Sequence, residues 1–255
     1  MLLTIDVGNT NTDIGLFERD ELAISYRIKT DPRSTADEIA LTFRGLLADD
    51  PEVTGVAICS TVPAVLREMR SMLNRYYPEV PTVIVEPGIR TGVGVLTDNP
   101  KEVGTDRIMN TLAAYTLYGG PSIVVDFGTS TNFDVVSKNG DFMGGALAAG
   151  IEISVEALAA RAAQLRKVEL VRPRSVIGKN TVEALQSGTV YGFAGQVDGL
   201  VERITQELGG SVNAVVATGG LSKVVRAESR TITAHEPALT LIGLRLVFDK
   251  NEPNA

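Results

Sequence analysis

Cysteine and histidine occur once each in 255 residues, as Cys59 and His235. A single cysteine excludes an internal disulfide framework and fits a reducing compartment, so a cytoplasmic location is expected. Cys59 closes the apolar run Val56-Ala57-Ile58 and reads as a buried strand-end side chain rather than a nucleophile. The lone histidine rules out a Ser-His-Asp system elsewhere in the chain and argues against a zinc site; His235 reads as structural. Basic residues are outnumbered 24 to 31, and the net charge of -7 argues against non-specific contact with nucleic acid or an anionic membrane. Any anionic substrate then needs local positive groups. No apolar run approaches the roughly 20 residues of a bilayer span. The first residues carry no basic segment ahead of their apolar run, so they are expected to form a strand, not a signal peptide. There is no Gly-x-x-x-x-Gly-Lys-Ser/Thr stretch, which excludes a Walker-type kinase. Low-complexity segments and heptad repeats are also missing.

What is present is ordinary for a globular protein: 44% hydrophobic and 22% charged residues, in a length that allows one large or two small domains. The most informative stretch is Leu2 to Phe17. An apolar run ends in Asp6-Val7-Gly8-Asn9-Thr10-Asn11-Thr12-Asp13, and a second apolar run follows. This predicts strand, tight turn, strand, with Gly8 and Asn9 tolerating left-handed backbone angles. The turn is dense in backbone N–H, amide and hydroxyl donors, which suits an anion. Asp6 would repel a bare phosphate, and a metal ion would reconcile the two. An ordinary polar hairpin is the plain alternative. The same grammar returns at Ile123 to Val136, where Asp126-Phe127-Gly128-Thr129-Ser130 matches Asp6-Val7-Gly8-Asn9-Thr10. A repeated unit of this kind suggests two similar domains facing each other across a cleft. It resembles the way the actin, hexokinase and acetate kinase superfamily holds ATP phosphates.

Between the two copies the pattern predicts a strand over 22–29, a helix opened by Thr35 and Glu38, and a buried strand over 53–59. A helix from Pro63 and a short strand over 81–85 follow. Three strands at the start of each half fit a ribonuclease H-like unit. The stretch Glu86 to Pro100, with two prolines besides glycines at 88, 92 and 94, reads as a loop reaching over something. It leads into Gly104-Thr105-Asp106-Arg107, at or near a helix start. Asp106 there has a structural explanation in capping and a chemical one as a general base. Arg107 gains nothing from the helix dipole and can hold a carboxylate by a forked pair of hydrogen bonds. Gly119-Gly120-Pro121 is the expected junction, giving domains over 1–118 and 119–255.

In the second half, strands are expected over 122–126, 131–137 and 141–147, with an Asn139-Gly140 hairpin. An alanine-rich helix to about Leu165 and a basic link over 168–174 come next. A long helical region from Ile177 is interrupted by Gly188, Gly192, Gly195 and Gly199, a stripe that reads as a dimer or helix-crossing face. A strand over 213–217 precedes Thr218-Gly219-Gly220, where a flat or anionic group could approach the backbone. A closing helix over 239–248 and a frayed polar tail over 249–255 complete the chain.

Four stretches together resemble one family, the type III pantothenate kinases: Asp6-Val7-Gly8-Asn9-Thr10, Gly104-Thr105-Asp106-Arg107, Asp126-Phe127-Gly128-Thr129 and Ala217-Thr218-Gly219-Gly220. The closing Leu239-Thr240-Leu241-Ile242-Gly243-Leu244 fits as well, and the likeness runs over nearly the whole chain. It implies an α/β, duplicated ribonuclease H-like fold and phosphorylation of pantothenate by ATP, the first step toward coenzyme A. It also implies a homodimer with the active site at the interface, a divalent cation such as Mg2+, and a monovalent cation, K+ or NH4+. By the same likeness, residues Asp6 to Asp13 form the first phosphate loop and Asp106 is the base. Gly104, Thr105, Asp106, Arg107 and Thr181 contact pantothenate, Asp126 ligates the monovalent cation, and Thr129 contacts ATP. Three positions depart from the family pattern. Thr97 stands where Tyr is frequent, Thr131-Asn132 replaces Thr-Thr, and Ala148-Ala149-Gly150 replaces Ala-Pro-Gly. The alternatives are a regulator resembling the Bvg accessory factor, or a kinase for another small hydroxyl compound or acetate.

Overall fold

The computed structural model describes residues 1–48, 52–162 and 168–252. In chain order its elements begin with β1 (Leu2–Val7), β2 (Asn11–Glu18), β3 (Glu21–Lys29), α1 (Ala36–Leu46), β4 (Gly55–Ser60), α2 (Pro63–Tyr76) and β5 (Thr82–Ile84). They continue with α3 (Thr105–Tyr118), β6 (Ser122–Phe127), β7 (Ser130–Val136), β8 (Phe142–Ala149), α4 (Ile151–Arg161) and α5 (Thr181–Glu207). The last are β9 (Ala214–Thr218), α6 (Ser222–Arg226), β10 (Ala234–His235) and α7 (Leu239–Asn251).

Two five-stranded sheets have one topology. The first runs β3-β2-β1-β4-β5 and the second β8-β7-β6-β9-β10. In each, three antiparallel strands are extended by two that run parallel to the first. This is the duplicated ribonuclease H-like α/β fold expected from the repeated turn.

The compact units do not follow the expected division at 118/119. One comprises Met1–Gly92, Asn99–Ala113 and Leu239–Ala255; the other comprises Val93–Asp98 and Ala114–Ala238. In the first, β1 and β4 are buried on both faces, with Leu3, Ile5, Val7, Val56 and Ile58 on one and Thr4, Ala57 and Cys59 on the other inaccessible to solvent. The amphipathic faces of α1 (Ile39, Phe43) and α2 (Val65, Met69, Met72, Leu73) close one side. Thr35 and Glu38 form the complete capping box that the sequence pattern called for. Helix α7 belongs here too: Leu241 approaches Gly15, and the ring of Phe248 fills the space that a side chain at Gly55 would need. The supposedly frayed tail is helical through Asn251, because Asn251 exchanges hydrogen bonds with the backbone of Arg90 and Asp249 pairs with Arg245. Residues 253–255 lie outside the described set.

In the second unit, Ile123, Val125, Phe127, Phe133, Val215 and Ala217 pack against Ile151 of α4 and Ala194, Val197 and Val201 of α5. Helix α4 ends at Arg161; the expected continuation to Leu165 falls on residues 163–167, outside the described set. Helix α5 runs for 27 residues without a break, so the four glycines do not interrupt it. Its buried face, Val190, Ala194, Val197 and Val201, supplies the packing that offsets their poor helix propensity.

Candidate active site

The first site is built on the ends of β1 and β4. Register places Asp6 opposite Asp13 and Val7 opposite Thr12. The turn between is closed by the Gly8 N–H, which donates to the Asn11 carbonyl at 3.0 Å. It is anchored from the next strand: the Thr61 backbone N–H and hydroxyl both donate to the Val7 carbonyl, at 3.0 and 3.3 Å. Asn9 and Thr10 are exposed at the tip. Thr12 is buried, its hydroxyl 2.9 Å from that of Thr30. Both oxygens of Asp13 accept from Arg27 on β3, at 2.7 and 3.0 Å. A cavity of about 190 Å³ beside α1 and α2 touches this turn only through Thr12 and reaches neither Asp6 nor Asp106.

Parallel pairing sets Cys59 next to Asp6, and its thiol donates to Asp6 Oδ1 at 3.3 Å. Cys59 is wholly buried. Burial first, then the nearby Asp6 and Asp106 carboxylates, push the thiol well above its ordinary value. It is therefore inert as a nucleophile, as its position in the sequence suggested. Its thiol is one hydrogen-bond partner of Asp6.

Asp106 is the second residue of α3. The Thr105 hydroxyl before it donates to the Ser60 carbonyl at 3.4 Å, tying the helix start to β4. Asp106 Oδ1 is buried and has no hydrogen-bond partner. It folds back over Gly104, where any Cβ would collide with it. Burial raises the Asp106 carboxyl above its ordinary value near 3.8, while the backbone N–H and the charge of Arg107 pull it down. A carboxylate short of hydrogen bonds and raised by desolvation is a proton acceptor waiting for a donor. Arg107 lies one residue on, and its carbonyl accepts from the Thr111 hydroxyl at 2.9 Å.

The second site repeats the first on β6 and β9. Asp126 faces Asn132 and Phe127 faces Thr131. The Gly128 N–H closes the turn on the Ser130 carbonyl at 3.0 Å, and the Ser130 hydroxyl donates to Asn132 Oδ1 at 2.9 Å. Gly150, the residue before α4, donates its N–H to the Thr129 carbonyl at 3.1 Å. A Cβ there would run into the carbonyls of Gly128 and Thr129. On the other flank Asp126 pairs with Thr218, and Gly219 follows with φ +86. A Cβ on Gly219 would sit 2.6 Å from Asp126 Oδ1 and 2.6 Å from the Phe127 carbonyl. Asp126, Gly128, Thr129, Gly150 and Gly219 are thus brought together. Among the described residues no group of three or more His, Cys, Asp or Glu side chains suits a metal ion. The Asp126 carboxylate and the Phe127 carbonyl both face the backbone of Gly219.

Thr181 stands apart from both turns in sequence, as the exposed first residue of α5. The Asn180 side chain before it caps the helix by accepting from the Glu183 N–H at 2.9 Å, and Glu183 pairs with Arg174.

The sequence model of the type III pantothenate kinase family matches residues 2–203. A protein from Salinispora arenicola (strain CNS-205) named type III pantothenate kinase is 69% identical over 98% of this chain and 100% of its own length. One of the same name from Frankia alni (strain DSM 45986 / CECT 9034 / ACN14a) is 68% identical, over 98% of this chain and 100% of its own length. The chain belongs to the type III pantothenate kinase family. Solved structures add the fold alone. A conserved protein of Campylobacter jejuni assigned to the Baf family of transcriptional activators superposes with a TM-score of 0.63 at 18% identity, over 99% of this chain and 100% of that one. The activator of the 2-hydroxyisocaproyl-CoA dehydratase from Clostridium difficile, with bound ADPNP, gives 0.57 at 14% identity, over 98% and 94%.

The three positions that depart from the type III pantothenate kinase pattern all lie in the second unit. The Thr97 hydroxyl is buried without a partner, with its methyl beside Gly144 on β8. Asn132 accepts the Ser130 hydroxyl. Ala149 precedes Gly150, whose backbone packs against the carbonyls of Gly128 and Thr129. Sequence reasoning missed the contributions of Cys59 and Gly150. Both act across strand pairings or turns that no local pattern announces.

Proposed function

We propose that this chain transfers the γ-phosphoryl group of ATP to the hydroxyl of pantothenate, giving 4'-phosphopantothenate for coenzyme A synthesis. The observation that carries the proposal beyond family membership is Asp106: a raised carboxylate with a buried, unpartnered oxygen at the start of α3. In this reading Asp106 accepts the hydroxyl proton as the oxygen attacks phosphorus, and the raised carboxyl makes it the better base. Gly104, Thr105, Arg107 and Thr181 bind pantothenate, with Arg107 on its carboxylate. The turn from Asp6 to Asp13 receives the phosphates through its backbone and hydroxyl donors, and Thr129 contacts ATP. A divalent cation such as Mg2+ travels with ATP and neutralises phosphate charge when bound, which is most of what phosphoryl transfer asks for. Asp126 is the proposed ligand of a monovalent cation, K+ or NH4+.

The same proposal includes a homodimer with its active site at the subunit interface, in the cytoplasm. Supporting the dimer is one face of the second unit. A Cβ on any of Gly188, Gly192, Gly195 or Gly199 would meet open space; Val182 is exposed on the same helix, and Ile153 and Leu158 are exposed on α4, which touches α5. The test is phosphoryl transfer from ATP to pantothenate with magnesium, in potassium and then in sodium. Potassium-dependent product is expected. Equal rates in the two buffers would remove the cation from Asp126. No product in either, with ATP still bound, would move the reading to a nucleotide-binding regulator or another hydroxyl acceptor.

A further inference from the structure

His235, the single histidine, is not an isolated core residue. It lies on β10, opposite Ala217 of β9, and the strand pairing is reinforced by the Glu236 N–H donating to the Ala217 carbonyl at 3.0 Å. Its Nε2 is 2.9 Å from the hydroxyl of Ser222. That hydroxyl in turn donates to the Gly219 carbonyl at 2.7 Å. Ser222 is 1% exposed, so water does not compete for either bond. A serine has one proton to give, and here it goes to Gly219. With the hydroxyl joining the Ser222 backbone N–H, 3.3 Å away, on the Gly219 carbonyl, the relay takes the His235 tautomer that carries its hydrogen on Nε2 and donates to the serine oxygen. The direction of the relay is His235, then Ser222, then the Gly219 carbonyl.

What the relay holds matters. Gly219 and Gly220 have no side chains to fix them, and Gly219 sits at φ +86 against Asp126 and the Phe127 carbonyl. Left untethered, such a turn has many conformations open to it, and few of them press on Asp126. We propose that Ser222 and His235 are positioning residues for nucleotide binding: they lock the Gly219 carbonyl and so hold the Thr218-Gly219-Gly220 turn against the Asp126–Thr129 turn. The inference rests on the reading above that the Asp126–Thr129 turn serves ATP. Neither the serine nor the histidine touches the nucleotide in this account. Both act through Gly219. Because neutral imidazole with Nε2–H and imidazolium both donate from Nε2, protonation does not break the relay.

The experiment compares wild type with Ser222→Ala, His235→Leu and His235→Gln, reading Mg·ATP affinity by calorimetry and both Michaelis constants. Glutamine places an amide N–H near the position of Nε2, whereas leucine fills the space without a donor. Ser222→Ala and His235→Leu should each weaken ATP binding about tenfold, the size of one neutral hydrogen bond. KM for ATP should rise in step while KM for pantothenate stays within about twofold. His235→Gln should recover most of the loss. Leucine and glutamine variants equally impaired, or ATP affinity unchanged in all three, would overturn the proposal. A wild type that makes phosphopantothenate while its variants bind ATP normally sinks only the relay. A wild type that binds no ATP sinks the relay and the kinase reading together.

Discussion

The two Asp-x-Gly turns share a topology but not their support. In the first, Asp6 accepts from the Cys59 thiol, Asp13 is held by Arg27, and the turn has four residues between paired positions 7 and 12. In the second, the turn has three residues between 127 and 131, and glycines press on it from both flanks: Gly150 on Thr129 and Gly219 on Asp126. Backbone hydrogen bonds close both turns, but side-chain pairs flank the first where close-packed glycine backbone flanks the second. Side-chain bracing tolerates exchange of one partner at modest cost. Backbone bracing depends on a hydrogen atom where any other residue has a carbon.

The sharpest test lies on the first side, at Asp106. Asp106→Asn should lower kcat by about 10²- to 10⁴-fold, the usual range for a general base, with ATP affinity little changed. Near-normal turnover would remove Asp106 from that role. The same substitution should raise stability. The folded carboxyl lies above its ordinary value near 3.8, so the folded state holds this proton more tightly than the unfolded chain does. Stability therefore falls as pH rises from 3.8 through the raised folded value, and the full cost is carried above it. Asparagine has no charge to bury. Denaturation midpoints at neutral pH should be higher for the variant, and the gap should close in acid below 3.8.

A second pair of variants tests the bracing itself. Gly150→Ala forces a methyl into two backbone carbonyls, with a stability loss of about 1–3 kcal/mol and a distorted Thr129. Gly8→Ala meets one carbonyl at 3.1 Å, which a small shift relieves, and should cost less than about 1 kcal/mol. Chemical denaturation and ATP affinity of the two proteins would show it. Equal losses would mean that the turns are braced alike. The smallest effect is expected from Arg27→Ala. Arg27 and Asp13 are partly exposed, at 45% and 30% of their side-chain surface, so the pair is screened and contributes on the order of 1 kcal/mol or less. A large loss of ATP affinity in that variant would show that Arg27 orders the whole turn.

The parts legible in sequence were local ones. Asp6 to Asp13 and Asp126 to Ser130 could be matched because a turn's chemistry lies within a few consecutive residues. The capping box at Thr35 and Glu38 was legible for the same reason. The apolar periodicity that predicted α1, α2 and the buried strands reflects one face of each element meeting one core. Contacts made by long-range pairing stayed hidden. Cys59 meets Asp6 only because β4 lies parallel to β1 in that register. Ser222 and His235 are joined only because β10 returns beside β9. The glycines of α5 suggested interruption, since propensity alone cannot register the packing of Val190, Val197 and Val201 that sustains the helix.

Helix α7 has a bearing on synthesis. It follows every strand in the chain, yet Leu241 and Phe248 occupy the space beside Gly15 and Gly55 in the N-terminal sheet. A nascent chain leaving the ribosome can close its second sheet from consecutive residues, β6 through β10. The first sheet must wait, with the face that carries Thr4, Gly15 and Gly55 lacking its cover, until residues 239–251 emerge. The unit translated first is thus the one completed last, and Phe248 is its closing piece.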